Sequence, residues 1–388
     1  MTIKLSKRLP EIYFVAMWIF TLLSYVLIPI DNRFLQLVYY GIHLISYGTF
    51  TAIVVKRSRG KVLLFDFIRI VLIIGLLVII IFSNICSSVS VKTTGQIMNI
   101  ICFLEMMIAI YIIDSIPYSQ KLERFVSIVS LISAVLFVFL SFSSVAYSHK
   151  LKDSLNLGYS NPNTTAIYLF TSMSYLSICL KDLDKKYQQS LIFVLCLYLL
   201  YLIYQTDSRA CFFSGMCIMG YTFFRPQWKI PQCVLLMMLC TSLVFLLIYS
   251  ELYKRGLLLD LEILGKPFYS GRESYFVSTL KDIQGNLLIG DIGKYSFDNM
   301  HNGALTLIAG CGLIGYVMYI AYMGYTLQSY NGKQTNYRQN AAIVVLCAYY
   351  LHSCAEAAMI VGGAQYSIYI ATVYWLIKGP EKHLSETK

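Results

Sequence analysis

Long apolar runs alternate with short polar stretches along the whole chain, and this pattern decides the predicted architecture. In a lipid bilayer only helices and closed barrels satisfy every backbone hydrogen bond, and a spanning helix needs roughly 20 mostly apolar residues. Apolar runs this long and continuous predict helices, so we expect an all-α polytopic membrane protein with about 12 transmembrane helices. The runs cover residues 12–30, 34–55, 62–82, 97–113, 125–147, 164–180, 191–204, 210–224, 233–249, 303–327, 341–360 and 362–377.

The composition agrees with this architecture. Of 388 residues, 57% are hydrophobic and 13% charged, whereas about 25% charged residues is typical of a soluble domain. Twelve spans of roughly 20 residues use about 240 residues, which leaves about 150 for all loops and both tails. That remainder excludes a large soluble domain. We therefore predict that residues 1–388 form a single integral membrane domain.

The positions of Lys and Arg predict the orientation in the membrane, because cytoplasmic loops carry an excess of these residues. With the N-terminus in the cytoplasm, 19 of the 31 fall in inner segments, five in short outer loops and six in one long outer loop. Both termini are then cytoplasmic, in a multi-pass protein of the cytoplasmic membrane. The first run lacks an obvious small-residue cleavage site, so we interpret it as a retained span rather than a signal peptide.

Other classes of site find little support. The net charge of +11 comes from basic residues scattered between apolar runs, which form no basic face for nucleic acid. The 11 cysteines mostly lie inside apolar runs, without the spacing of a metal site. Asp182 and Asp184 resemble the metal-binding pair of nucleotide-sugar glycosyltransferases, but the neighbouring lysines favour a solvated charge run. We expect no nucleic-acid partner, no disulfide, no metal and no cofactor.

One hydrophilic stretch, residues 250–302, is long enough to form structure outside the membrane. The predicted orientation places it on the extracytoplasmic side. Leucines and isoleucines interrupt its charges, and Tyr275, Phe276, Leu280 and Ile283 follow a roughly helical spacing. This pattern predicts short amphipathic helices that lie on the outer membrane surface.

Arg209 is the first candidate for chemistry. The runs at 191–204 and 210–224 are short for full spans, so the connection between them is expected at the depth of the lipid head groups. A guanidinium at that depth offers a planar pair of donors that fits a phosphate. The structural alternatives are an interfacial anchor and an ion pair between Arg209 and Asp207.

The long outer loop holds two further candidates. Arg272 follows Gly271 and precedes a predicted helix, where a cation and backbone N–H groups together can bind an anion. His301 stands just before the tenth run, and a neutral imidazole can accept a proton from a hydroxyl, as a general base does. A solvated loop arginine and a satisfied polar contact are the respective structural alternatives.

Several small polar residues next to predicted helices have either a structural or a substrate-contacting role. Asn161 and Asn163 flank Pro162 before the sixth run, where Pro suits the first helical turn and Asn the cap. Helix capping is the favoured role there. Asn302, before the tenth run, and Asp207 carry the same two interpretations.

Some ionisable residues lie inside apolar runs without an evident reaction. Glu105 is in the fourth run, and Asp66 and Arg69 are one turn apart in the third. His352 and Glu356 are four residues apart in the eleventh run, so on one helix face they could pair or line a polar cavity. Such groups are rare in membrane spans and are often functional.

The order of these motifs along a chain of about a dozen spans resembles the bacterial O-antigen ligase/polymerase superfamily, which includes Wzy-type polysaccharide polymerases. By motif the resemblance covers residues 158–315, and elsewhere it rests on hydropathy. The motifs are, in order, Asn161-Pro162-Asn163, Asp207-Ser208-Arg209, Gly271-Arg272, Gly290-Asp291-Ile292-Gly293, His301-Asn302 and Gly310-Cys311-Gly312-Leu313-Ile314-Gly315.

This resemblance implies a GT-C-like fold and a metal-independent, inverting glycosyltransferase that uses glycans linked to undecaprenyl diphosphate. It implies that Arg209 and Arg272 bind the diphosphate and that His301 lies at the reacting hydroxyl. The expected partners are a lipid-linked glycan donor and acceptor, membrane lipids, and a chain-length regulator and flippase of the same pathway.

Three functions remain open from the sequence. The preferred one is a polysaccharide polymerase that joins lipid-linked oligosaccharide repeats on the outer face of the cytoplasmic membrane, for a surface polysaccharide such as capsule or O-antigen. The nearest alternative is an O-antigen ligase of the same superfamily. A lipid-linked oligosaccharide flippase belongs to a different class, and transporters of that kind tend to show internal repeats and charged residues near the midplane.

Overall fold

A computed structural model of the chain describes residues 2–27, 33–58, 64–87, 89, 91, 93–143, 146–147, 154–159, 161–179, 185–224, 230–269, 271–297, 300–327, 337–357 and 364–379. Asp182, Asp184 and both chain ends lie outside these residues. Most of the described residues are helical. The helices are α1 (Thr2–Leu27), α2 (Arg33–Ser58), α3 (Leu64–Cys86), α4 (Thr94–Asp114), α5 (Gln120–Ser141), α6 (Pro162–Cys179), α7 (Lys186–Gln205), α8 (Arg209–Phe224), α9 (Gln232–Leu239), α10 (Thr241–Lys254), α11 (Glu273–Asp282), α12 (Ile292–Tyr295), α13 (Gly303–Leu327), α14 (Tyr337–His352) and α15 (Ala364–Lys378).

Each of the twelve apolar runs overlaps a helix, so the predicted all-α membrane class is confirmed. Within the described ranges, five helices are long and apolar enough to cross a membrane, namely those that contain Asp66–Cys86, Gly95–Asp114, Gln120–Ser141, Lys186–Gln205 and Gly303–Leu327. The pair α9 and α10, bent by 49°, adds a sixth if it is counted as one span. The protein is therefore a multi-pass membrane protein.

Three runs end or break at positions that differ from the prediction. α5 ends at Ser141 rather than at residue 147, and the ninth run is interrupted at Cys240 between α9 and α10. α14 ends at His352, where the N–H of Ala355 bonds back to the carbonyl of His352 at 3.0 Å and tightens the last turn. Glu356, predicted on the same helix face as His352, therefore lies in the turn after the helix.

The most buried helices lie at the centre of the bundle. All residues of 102–114 in α4, 165–178 in α6 and 366–377 in α15 are buried. In contrast, α3, α5 and α7 expose large apolar side chains such as Ile74, Phe139 and Val194. Apolar surface of this extent is stable when lipid chains cover it, so these helices form the lipid-facing periphery.

Charged groups inside the bundle are paired, which limits the cost of burying them. The imidazole of His43 contacts the carboxyl group of Glu105 between α2 and α4. Arg69 donates to Asp66 at 2.9 Å, as the spacing of one turn suggested, and to Asp114 at 2.6 Å. The intramembrane residues that the sequence left without a role thus tie helices together.

The segment between α10 and α13 is structured, and we call the side of the bundle on which it lies the loop side. It contains α11, a short 3₁₀ helix (Ile283–Asn286) and α12, so the prediction of short helices is confirmed. Phe276 and Ile283 of the predicted apolar stripe are buried, whereas Tyr275 is exposed. A hairpin of two short antiparallel strands, β1 (Glu262–Ile263) and β2 (Lys266–Pro267), was not predicted.

This segment is docked onto a break in α13. Gly312 has φ 69° and ψ −177°, which interrupts the helix. The N–H of Leu313, freed by the break, donates to the carbonyl of Leu287 at 2.9 Å. Gly290, with φ 78°, approaches so closely that a Cβ there would lie 2.5 Å from the nitrogen of Gly312. Both glycines are required by this contact, which fixes the end of the loop against the helices.

Candidate functional site

A cavity of about 940 Å³ opens on the loop side between the N-terminal ends of α6 and α8, the hairpin, α10 and α11. Five of the seven residues predicted at a functional site line it, namely Asn161, Asn163, Asp207, Arg209 and Arg272. The other lining residues are Ser154, Asn156, Pro162, Thr206, Ser208, Ala210, Phe213, Phe245, Tyr249, Ile263, Lys266, Pro267, Phe268, Tyr269, Phe276, Cys354, Ala355 and Glu356. His301 and Asn302 are not among them.

Arg209 is the first residue of α8, and its guanidinium reaches the hairpin. Its Nη1 donates to the carbonyl oxygen of Pro267 at 2.9 Å and, at longer range, to that of Lys266 at 3.4 Å. These acceptors are neutral. Nε and Nη2 form no hydrogen bond with any residue that the structure describes. Nε and Nη2 are therefore available to a ligand, whereas Nη1 holds the hairpin.

Asp207 lies in the turn between α7 and α8, but the sequence alternative of an Arg209–Asp207 ion pair is not formed. Asp207 instead meets Lys266 at 3.3 Å and accepts a hydrogen bond from the hydroxyl of Ser154 at 2.8 Å. Its backbone has φ 64°, a left-handed conformation that Asp tolerates better than most residues. Asp207 therefore contacts the side chain of Lys266, whereas Arg209 contacts backbone carbonyls of the hairpin.

Arg272 occupies the N-cap position of α11, as predicted from the Gly271-Arg272 pair. Its side chain is 26% exposed. Nη1 donates to the carbonyl of Ala355, and Nη2 donates to Glu356 Oε1 at 2.9 Å. The guanidinium is thus fixed by the turn after α14, with one face towards the cavity that it lines.

Glu356 connects most of the polar groups of the site. Its side chain is only 3% exposed. Oε1 accepts hydrogen bonds from Arg272 and from the side-chain amide of Asn163, at 2.9 and 3.1 Å, and Oε2 lies 3.2 Å from His301 Nδ1. A single carboxylate therefore joins residues from the start of α6, the start of α11 and the start of α13.

These partners change the acidity of Glu356. Burial raises the pKa of this carboxyl, but the hydrogen bond from His301 and the positive charge of Arg272 act more strongly together and hold its pKa at about 2. Glu356 is therefore ionised throughout the physiological range. An ionised carboxylate in this position keeps the two basic partners oriented.

His301 reaches the site through Glu356 rather than through the cavity wall. Its side chain is 39% exposed, and its backbone has φ 55°. With Nδ1 bonded to Glu356, the tautomer that carries its proton on Nδ1 has its lone pair on Nε2. That is the arrangement of a histidine base oriented by a carboxylate. Glu356 therefore lines the cavity and contacts the imidazole at the same time.

The three asparagines that were predicted at the site have different roles in the structure. Asn161 caps α6, since its Oδ1 accepts the N–H of Asn163 at 2.9 Å, and Pro162 begins the helix. Asn163 instead donates its side-chain amide to Glu356. Asn302 is buried, accepts the N–H of Leu305 at 2.9 Å at the start of α13, and also donates to the carbonyl of Cys354. Asn302 is therefore structural.

Aromatic rings form the apolar wall of the cavity. Tyr249 on α10 lies at the centre of this wall, with ring centroids 5.1 Å from Phe245, 5.4 Å from Phe268, 5.1 Å from Tyr269 and 5.8 Å from Phe276. Such packed rings give a rigid surface at low cost in side-chain entropy. The cavity thus combines an apolar aromatic wall with a polar wall of Arg, Asn and Glu.

The charges that line the cavity are three basic and two acidic, namely Arg209, Lys266, Arg272, Asp207 and Glu356. Lys266 is paired with Asp207, and Arg272 with Glu356. Arg209 also lines the cavity, and among the described residues it donates hydrogen bonds to neutral carbonyls alone. The local excess of positive charge suits an anionic ligand.

Glu356 and Lys266 are the residues of this site whose roles the sequence did not reveal. The sequence offers a pair of Glu356 and His352, but His352 Nε2 contacts the thiol of Cys211 at 3.0 Å instead. The signal for Glu356 was its charge within an apolar run, which by itself marks a functional candidate. Lys266 had no signal, because its importance depends on the hairpin.

Comparison with known proteins adds no further constraint. No protein-family model, no curated protein and no solved structure matches this chain. Within the described ranges, no group of three or more His, Cys, Asp or Glu side chains could hold a metal ion.

Proposed function

We propose that this protein is a glycosyltransferase that joins oligosaccharide repeats carried on undecaprenyl diphosphate, as a polysaccharide polymerase of the cytoplasmic membrane. In this proposal the chain crosses the membrane twelve times with both termini in the cytoplasm, and the loop side is extracytoplasmic. The observation that carries the proposal is the cavity in which Arg209, free of an acidic partner among the described residues, faces the same space as Arg272.

The reaction needs a cation where the leaving group gains charge. The oxygen of an acceptor hydroxyl forms a bond to the anomeric carbon of the donor, and the bond from that carbon to the diphosphate oxygen breaks. The electron pair leaves with the diphosphate, and the configuration at carbon inverts. Arg209 and Arg272 would bind the diphosphate and stabilise this charge. One preorganised donor of this kind contributes about 10²–10³-fold in rate.

The hydroxyl proton needs an acceptor, and His301 Nε2 is the proposed base. Glu356 would hold the imidazole through Nδ1 and stabilise the imidazolium that forms, as a carboxylate does in other histidine-dependent enzymes. Because His301 does not line the cavity and its side chain is 39% exposed, the acceptor would approach from the exposed edge of His301. The donor diphosphate would lie on the arginine side.

The aromatic wall fits the remaining requirements of such a substrate. A polyprenyl diphosphate has an apolar chain next to its anionic group, and sugars pack on aromatic rings. The rings around Tyr249 line the same cavity as the polar groups. The fatty part of the donor and its charged part therefore have suitable surfaces within one site.

The test uses the purified full-length protein in lipid nanodiscs, with a lipid-linked oligosaccharide as substrate and product length as readout. Arg209→Ala, Arg272→Ala and His301→Ala are each expected to reduce turnover by about 10²-fold or more. Arg255→Ala is a matched control, because Arg255 belongs to the same loop, is exposed and pairs with Glu251 at 2.8 Å. Undiminished polymer from all three site variants would remove this mechanism.

A ligase of the same superfamily would use the same chemistry with a different acceptor. A deletion strain separates the two: loss of a polymerase leaves single repeats, whereas loss of a ligase leaves long chains on the carrier lipid. The expected outcome is single repeats.

One observation favours a flippase as a second candidate. The buried contact between His43 and Glu105 joins α2 and α4, and ionisable side chains at such positions are common in transporters. A flippase would move a fluorescent lipid-linked oligosaccharide across a proteoliposome membrane without extending it. The proposed polymerase would extend the glycan in nanodiscs, where no second compartment exists.

A further inference from the structure

Five leucines that are close together in the chain are exposed on the loop side. Leu257, Leu258, Leu259, Leu261 and Leu264 are 41–53% exposed, and we call them the leucine tip. Four of them lie in the connection from α10 to the hairpin, and Leu264 lies in the hairpin turn between β1 and β2. A patch of this kind on a protein surface usually marks contact with a partner or a membrane.

The position of the leucine tip indicates which contact this is. It directly follows α10, whose side chains Val244, Leu247 and Ile248 are 51–56% exposed. α10 belongs to the bent pair that is apolar enough to cross a membrane, so these side chains face lipid. The exposed leucines therefore continue a lipid-facing surface beyond the end of its helix.

The inward side of the same segment is polar and is bonded to the protein. The carbonyl of Leu257 accepts the hydroxyl of Tyr269 at 2.7 Å, and the carbonyl of Leu261 accepts the N–H of Phe268 at 2.6 Å. The carbonyls of Lys266 and Pro267 accept Arg209. The backbone of the segment is thus bonded to the protein, while its leucine side chains, together with Asp260 and Glu262, are exposed in the described part of the chain.

The backbone supports this orientation. Leu258 has φ 61° and Leu264 has φ 54°, left-handed conformations that are unfavourable for leucine. Both side chains are among the exposed leucines of the tip. Such a conformation persists where burial of the side chain offsets its cost, and the lipid is the apolar medium that adjoins α10.

We propose that the leucine tip is a membrane-binding surface that inserts among the lipid acyl chains on the loop side. By this contact it holds the hairpin, and with it the carbonyls bonded to Arg209, at the boundary between lipid and cavity. Apolar side chains at the edge of a bilayer bind in this manner. The proposal concerns lipid contact alone, so it can fail while the proposed function stands, and the reverse is also true.

The test is photo-crosslinking in nanodiscs of phosphatidylethanolamine and phosphatidylglycerol. A benzophenone amino acid replaces Leu258 or Leu264 in the full-length protein, and mass spectrometry identifies the adducts. Leu247 on α10 is the lipid-facing reference, and exposed Ser278 on α11 is the polar reference. Lipid adducts at 258 and 264 are expected within about threefold of those at 247, and about tenfold above those at 278.

Two outcomes would overturn the proposal. One is a yield at 258 and 264 no higher than at 278, while 247 gives lipid adducts. The other is an adduct with a second copy of the chain in place of lipid, which would make the leucine tip a protein interface. Folding of each labelled protein is checked by its elution as a single species before irradiation.

The link to Arg209 has its own measurement. Leu258→Asp/Leu264→Asp is expected to raise deuterium uptake in the peptide that contains residues 262–268 by about twofold, because the hairpin loses its lipid contact. The substitution Glu262→Gln, at an exposed hairpin position, leaves the leucine tip intact and serves as the control. Equal uptake in the double variant and the control would contradict the link.

Discussion

Glu356 and Arg272 are 84 residues apart in the sequence and meet at 2.9 Å between Oε1 and Nη2. The same carboxylate binds Asn163 and His301, so three separate segments are held by one buried group. A buried carboxylate keeps its charge only with such partners. The geometry of the candidate site therefore depends on Glu356, which lies in none of the motifs that suggested the site.

The first prediction is that Glu356→Ala destabilises the protein as well as the site. Removing one partner of a buried ion pair leaves the other charge without compensation, at a cost of about 3 kcal/mol or more. Glu356→Gln keeps the shape and an acceptor for Arg272, so its loss is expected to be smaller. Thermal unfolding in nanodiscs measures both effects.

Glu251→Ala is the matched control for that comparison. Glu251 also pairs with an arginine at 2.8 Å, but both side chains are exposed, and exposed pairs contribute little. The melting temperature of Glu251→Ala should equal that of the wild type. A similar loss from Glu251→Ala and Glu356→Ala would show that burial of Glu356 has no special effect.

The second prediction concerns acid stability. The pKa of Glu356 is lowered from its ordinary value of 4.5 to about 2 in the folded protein. The ionised carboxylate therefore stabilises the folded state fully above about pH 4.5, and this contribution is lost as the pH falls towards about 2. The wild type should lose stability more steeply than Glu356→Gln in this window. Curves that stay parallel throughout it would contradict the assignment.

Much of the fold followed from hydropathy alone. Each apolar run became a helix because the backbone has no other partner for its hydrogen bonds in lipid. The breaks were harder to predict. Gly312 interrupts α13 only because Leu287 is present to accept the freed N–H of Leu313, and that contact depends on tertiary packing. The hairpin has only two residues in each strand, too few for a periodic signal.

Part of the candidate site was predictable because some of its residues have local sequence signals. Arg209, Arg272 and Asn163 have local signals in a turn, a helix start and a cap, and the structure places all three at one cavity. The charge of Glu356 within an apolar run marks it as a candidate, but its contacts could not be predicted locally, because its partners are residues 163, 272 and 301. Only the packing of α14 against the loop side brings that carboxylate to the arginine.

The third prediction concerns the different roles of the guanidinium nitrogens of Arg209. Nη1 holds the hairpin, while the rest of the fork is available to a diphosphate. Arg209→Lys keeps the charge but loses the planar pair of donors, so it should weaken binding of farnesyl diphosphate by about tenfold. Arg209→Ala should weaken it further and raise deuterium exchange in residues 262–268.

Lys266→Ala is the control for the third prediction. Lys266 adds positive charge to the same cavity, but its side chain is 39% exposed and already paired with Asp207. Its removal should change farnesyl diphosphate binding by less than about threefold. If Lys266→Ala weakens binding as much as Arg209→Ala, the diphosphate responds to overall charge rather than to the arginine fork.

The fourth prediction is that Gly312→Ala damages both folding and activity. With φ 69° and ψ −177°, position 312 lies in a region that is open almost exclusively to glycine, and an added Cβ would lie 2.2 Å from the carbonyl oxygen of Leu288. We expect a loss of about 3 kcal/mol or more in unfolding free energy. Gly220→Ala in α8 is the control, since no atom lies within 4 Å of its added Cβ, and its melting temperature should stay the same or rise slightly.

The loss of activity in Gly312→Ala should exceed what its lower yield explains. The break at Gly312 holds the segment around Leu287, and that segment connects Arg272 on one side with His301 on the other. When the contact is strained, the distance between Arg272, which is proposed to bind the diphosphate, and the proposed base is no longer fixed. Turnover per folded molecule should therefore fall at least about tenfold, since small misplacements of reacting groups are costly. Normal turnover by the folded fraction would show that this contact supports stability alone.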